Sequence, residues 1–145
     1  MQELPAPREI ISLSGPSTEL TPLAHLAADR NPALVYLASL ASGSRRTMRQ
    51  ALNVIAGILT LDRCTHLDLP WGALRFQHTQ AVRSALQEKY SAATANKMLS
   101  ALRQTLHAAW NLGYMSGDEY QRAIDLKPVI GEKPDAAFGR ALSFG

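Results

Sequence analysis

An all-α bundle, with four main helices and a short fifth between flexible tails, is the fold class this sequence predicts, and three observations predict it. Residues 44–61 and 92–112 repeat apolar side chains at the helical period of about 3.6 residues. No stretch carries the strict apolar–polar alternation of a half-buried strand. Pro32, Gly43, Pro70, Gly72 and Gly113 fall at the joins, where chain breakers belong. At 145 residues the chain suits one domain plus tails and is long enough to bury a core without metals or disulfides.

Residues 1–31 carry Pro5, Pro7, Pro16, Pro22 and Gly15, a composition that resists continuous helix and predicts a flexible lead-in. Asn31-Pro32 then reads as a helix start, because Asn caps well and proline is tolerated at the first helical position. Leu34, Tyr36, Leu37 and Leu40 predict a short helix over 32–41. Ser42-Gly43-Ser44 predicts a break, with Ser44 capping the long helix that follows. Residues 61–76 are apolar but irregular, so Trp71, between Pro70 and Gly72, is expected to plug the core from a loop. Val82, Ala85 and Leu86 predict a helix over 77–90, with Arg83, Gln87, Glu88 and Lys89 mostly solvated. Ser91 or Thr94 would cap the second long helix, which should stop at Gly113. Asp118 and Glu119 favour a short helix over 116–124, and residues 127–145, with Pro128, Gly131, Pro134 and Gly139, read as linker.

The two long helices share an unusual polar side. On the first, Met48, Ala51, Leu52, Ile55, Ile58 and Leu59 form the apolar stripe, opposite Arg45, Arg46, Arg49, Gln50, Asn53 and Gly57. On the second, Ala95, Met98, Leu99, Leu102, Leu106 and Ala109 turn inward, opposite Asn96, Lys97, Ser100, Arg103, Gln104, His107 and Asn111. Neither polar set holds an acid, although solvated helices ordinarily mix Glu with Lys because opposite charges at i and i+4 stabilise them. Cations supply phosphate contacts, and Gln, Asn and Arg can bond base edges in the major groove, so the pattern points to DNA. The formal net charge is only +3, so the basic character lies in placement rather than in the total.

Other chemistries find little support. The single cysteine, Cys64, has no partner for an internal bridge and reads as a buried or half-buried thiol in a reducing compartment. No apolar run approaches the roughly 20 residues that cross a bilayer, and the polar, Pro-rich start is unlike a signal peptide. His25, His66, His78 and His107 have no partners at ligand spacing, so neither a metal nor another cofactor is expected. Phosphate loops, Ser-His-Asp sets and paired carboxylates are missing from the motif inventory. Trp71 and Trp110 are expected in the core.

Three motifs resemble the SAM-like, core-binding N-terminal domain of tyrosine recombinases, the phage-integrase family. "SGSRRTMRQALNVIAGIL" is similar to the family's opening helix, "LPWGALRFQHTQAVRSAL" to its loop and third helix, and "YSAATANKMLSALRQTLHAAWNLGYM" to its fourth. The T-x-N-x-x-L-x-A-L-R core of the last is the most specific, and the closing "GRALSFG" resembles the join to the family's catalytic domain. The resemblance implies a core-binding domain at 32–126 and a linker at 127–145 toward a catalytic domain that this sequence would not include.

What the resemblance implies about function is double-stranded DNA binding in site-specific integration and recombination. Ser44, Arg45, Arg46, Arg49, Gln50 and Asn53 would act from the first long helix, and Thr94, Asn96, Lys97, Ser100, Arg103 and Gln104 from the second. Lys133 and Arg140 would touch phosphate from the linker. The family's Tyr nucleophile, paired Arg, Lys and His have no counterpart here: Tyr36, Tyr90, Tyr114 and Tyr120 lie in other contexts, and His107-Ala108-Ala109-Trp110 lacks the Arg of His-x-x-Arg. No catalysis by this chain alone is therefore expected. Other recombinase protomers would dock through Pro32–Ala41 and Ser116–Ile124, the isolated domain being monomeric, in a bacterial cytoplasm on the nucleoid. The rival classes are a helical adaptor that meets an acidic protein and a helix-turn-helix regulator, the latter poorly matched by the long loop around Trp71.

Overall fold

The computed structural model describes Leu20, Pro22 and residues 26–131, and the regular elements among them are helical. The expected helices form: α1 Pro32–Ala38, α2 Ser42–Thr60, α3 Phe76–Lys89, α4 Ala92–Asn111 and α5 Gly117–Ala123. A single 3-10 turn, Trp71–Ala73, interrupts the loop between α2 and α3. None of these helices is long and apolar enough to cross a membrane.

Local bonds explain most boundaries. Asn31 Oδ1 accepts from Ala33 N at 3.0 Å to cap α1, while its Nδ2 donates to Leu67 O at 3.0 Å and pins the helix start to the distant loop. Ser91 caps α4, and Ser116 with Glu119 forms a reciprocal capping box on α5. Gly113, at φ 89°, reverses the chain beyond α4, as its lack of a Cβ permits. α2 departs from expectation, because it begins at Ser42 and runs straight through Gly43 and Ser44. The break moves upstream because the Arg45 guanidinium turns back onto the end of α1, donating to Leu37 O at 3.0 Å and Leu40 O at 2.7 Å. Leu37 O also accepts from Leu40 N at 3.1 Å, and a cation is favoured at a helix C-terminus.

α4 is the axis of the fold, touching α1, α2, α3, α5 and the 3-10 turn. Its buried side therefore extends past the predicted stripe to Ala101, Thr105 and Ala108. Leu52, Ile55 and Leu59 of α2 and Val82 and Leu86 of α3 close on Leu99, Leu102 and Leu106. Trp71 plugs this core from the loop, 1% exposed, with its indole N–H donating to His66 O at 3.0 Å. Cys64 is buried below α2, and burial pushes its thiol up, with nearby Asp68 adding to the shift.

Three expectations need correction. Trp110 is 38% exposed, because the core beside α4 is already filled; it stacks on Tyr120 at 4.8 Å instead, with the His107 ring edge-on to both. Gly57, assigned to the solvated side of α2, is buried: the chain leaves α2 through left-handed Leu61 and Asp62, and the Asp62 side chain lies over Gly57. The fold also continues past the expected boundary at residue 126. Leu126 and Val129 are buried, and the backbone between Asp125 and Val129 is bonded to side chains of α3 and α4.

His78, fully buried in the first turn of α3, accepts from Arg75 N through Nδ1 at 2.9 Å, and its Nε2 finds no partner among the described residues. Burial, with Arg75 adding to it, holds this imidazole below its ordinary value of 6.5. As pH falls, the unfolded chain therefore binds the proton first, so His78's contribution to stability is complete above about pH 6.5 and declines below it. Urea denaturation between pH 7.5 and 5 should show this loss, and His78→Gln should flatten the pH dependence.

Candidate nucleic-acid interface

On α2, Arg46, Gln50 and Val54 follow one another at i, i+4 and i+8, and together they form a ridge between two shallow grooves. The groove on the α4 side, of about 250 Å³, has Met48, Ala51, Val54 and Met98 along it, with Arg46, Gln50, Thr94 and Lys97 at its polar rim. Tyr90 closes one end, since only Tyr90 and Ser91 separate α3 from α4. The groove on the other side of the ridge is lined by Arg49, Asn53 and Asp62 as well as the ridge itself. Packing of α2 on α4 thus brings Arg46, Arg49, Gln50, Thr94 and Lys97, distant in sequence, onto one face. Asp62 is the acid at its edge.

The predicted side chains divide by what they already bond. Ser44, Arg46, Arg49, Gln50, Lys97, Ser100 and Gln104 are exposed, and their side chains bond no other described residue. Thr94 is also exposed, its hydroxyl accepting from Ser91 at 3.2 Å. Arg45 holds the corner between α1 and α2, as above. Asn53 Oδ1 accepts from His66 N at 2.8 Å and lies 2.8 Å from His66 Nδ1, so it organises the loop after α2.

Asn96 and Arg103 face the chain that follows α5. Asn96 donates to Val129 O at 2.9 Å and accepts from Val129 N at 2.8 Å, the two bonds a neighbouring strand would make. Arg103 donates to Leu126 O at 2.9 Å. Arg83 of α3, expected to be solvated, completes this clamp by donating to Lys127 O at 2.7 Å and Pro128 O at 2.9 Å. These cations meet backbone carbonyls, which lack other partners in a segment without regular structure. Asn96 and Arg103 are consequently occupied inside the fold rather than presented beside Lys97. Gln104 lies elsewhere again, in a groove against Val35, Tyr36 and Ser39 of the α1 side, with His107 and Asn111. Lys133 and Arg140 lie outside the described residues.

The polar face of α4 is thus shared among three surroundings, and only its N-terminal part joins the α2 cations. Sequence periodicity missed Met48 and Met98 as lining residues because their apolar character assigned them to the core, and Tyr90, in the two-residue joint between α3 and α4, carried no signal of its own. Cations in the first turns of α2, with no acid there, oppose the helix dipole, a local cost of a few tenths of a kcal/mol. No group of three His, Cys, Asp or Glu among the described residues is placed to hold a metal ion.

No family model matches the chain, and neither a curated protein nor a solved structure matches it.

The clamp makes a prediction that separates it from the free face. Asn96→Ala should cost about 1–3 kcal/mol, because it leaves the Val129 amide and carbonyl without their partners, and should speed hydrogen exchange at Val129. Gln104→Ala should change stability by no more than about 0.5 kcal/mol.

Proposed function

We propose that this chain binds double-stranded DNA through the α2–α4 face, as the core-binding half of a site-specific tyrosine recombinase acts. The observation that carries the proposal is the convergence of Arg46, Arg49 and Lys97, all exposed and without side-chain bonds to other described residues, around the equally free Gln50. Cations that serve no partner inside the fold gain most from an external polyanion. Binding would neutralise phosphates and release their counterions, with Arg46, Arg49 and Lys97 as the phosphate contacts. A B-DNA major groove, about 12 Å wide, admits a helix such as α2 with its ridge leading. The motif resemblance adds the class of reaction, integration or recombination, and assigns the chain binding rather than strand cleavage.

On this proposal Tyr36, Tyr114 and Tyr120 take no part in strand cleavage. Tyr120 is buried in its stack with Trp110, Tyr114 donates its hydroxyl to Arg30 O at 2.8 Å, and burial pushes the Tyr36 hydroxyl up, away from ready ionisation. On the same proposal, the segments around α1 and α5 meet other protomers on DNA, and the protein resides in the cytoplasm with the nucleoid.

Fluorescence anisotropy with duplex DNA across a salt series tests the proposal. Replacing Arg46, Arg49 and Lys97 with Ala should weaken binding to all sequences and reduce the salt slope by roughly one unit for each lost contact. Arg45→Ala should lower stability and leave that slope unchanged. Retention on an acidic polypeptide, with no retention on duplex DNA, would favour the adaptor class instead.

A further inference from the structure

We infer that the α2–α4 face reads one A·T base pair, with Gln50 bonding the adenine and the apolar groove beside it receiving the thymine methyl. The inference rests on the DNA-binding proposal and names what that surface would recognise.

Three features of the face point to this pair. Gln50 is the amide that the fold leaves available on this face: Asn53 is bonded to His66 and Asn96 to Val129, whereas the exposed Gln50 side chain bonds no other described residue. It stands on the ridge between Arg46 and Val54 and borders both grooves. Immediately beside it runs a recess whose lining includes Met48, Ala51 and Met98, side chains that offer no hydrogen bond, with Thr47, Tyr90 and Thr94 around them.

The base edges then discriminate. Adenine presents N7 as acceptor and N6 as donor, which a carboxamide matches with its own donor and acceptor in one plane, whereas guanine presents two acceptors, N7 and O6. The same pair ends in the thymine methyl, the apolar group on a major-groove edge. An amide beside an apolar recess therefore matches an A·T pair from one end of its edge to the other. The apolar side chains of the recess offer a phosphate neither charge nor donors, which Arg46, Lys97 and the threonines around them supply instead. Arg46 and Lys97, on the rim, hold the flanking backbone.

The experiment selects bound duplexes from a random pool with the full chain, then measures affinity for the winning duplex and its variants. One position should be A·T; Gln50→Ala, and Gln50→Glu, which removes the amide donor, should each relax discrimination there by roughly ten- to hundredfold. Uracil in place of that thymine, which deletes only the methyl, should weaken binding by the parent about fourfold. Circular dichroism should show the variants folded, as expected for substitutions at an exposed helix position.

Selection of the same A·T pair by both Gln50 variants would overturn the role of Gln50, and indifference to uracil would overturn that of the recess. Duplex binding without any base preference would overturn this inference and leave the DNA-binding proposal standing. Absence of duplex binding would overturn both.

Discussion

Burial of α4 on nearly every side is the constraint from which the rest of the structure follows. A helix in contact with all the others leaves only a narrow exposed strip, so its polar residues cannot form one broad face. Lys97 stays beside α2, Gln104 comes to lie by α1, and Asn96 and Arg103 face the returning chain after α5. The same packing fills the interior with leucine and with Trp71, which leaves Trp110 to stack at the surface. Close packing of this kind gives each added side chain little room to choose a different side.

A second consequence concerns the arginines. Arg45, Arg83 and Arg103 each donate to backbone carbonyls at a helix end or in an irregular segment, and Arg75 donates to Gly72 O and Leu74 O while pairing with Glu119 at 3.1 Å. A guanidinium, with five donors in a fixed plane, suits this task better than an ammonium. Basic side chains thus do two separate jobs in one small domain. Some hold loops and corners in place, while Arg46, Arg49 and Lys97 remain for the proposed polyanion.

The division also bears on how such a face would act. Gln50 and its flanking cations stand on two packed helices rather than on loops, so their spacing is set by the core, and binding would require little reordering of the backbone. The clamp on Leu126–Val129 similarly sets the direction in which the chain leaves α5, with Gly131 close to Ala92 at the start of α4. The position of the outgoing chain and the position of the cationic face therefore depend on the same helix.

Much of the fold was legible in the sequence. Asn31, Ser91, Ser116 and Gly113 mark helix ends through bonds or torsions that span a few residues, and Leu52, Ile55, Leu99 and Leu102 mark the core through a period that a single helix sets. The absence of acids from two polar faces was equally visible, because it is a property of residue type and spacing. Which members of those faces are free was not. Asn96, Arg103 and Arg83 are captured by carbonyls 33, 23 and 45 positions away, and Asn53 by a loop 13 positions on. Periodicity reports the direction of a side chain from its own helix, whereas its hydrogen-bonding partner depends on which segment the core brings past it. The sequence by itself determined the helices, their caps and the basic character of two surfaces. Only the tertiary structure decided that Arg46, Arg49, Gln50 and Lys97 share one open face, because that choice is made by long-range packing.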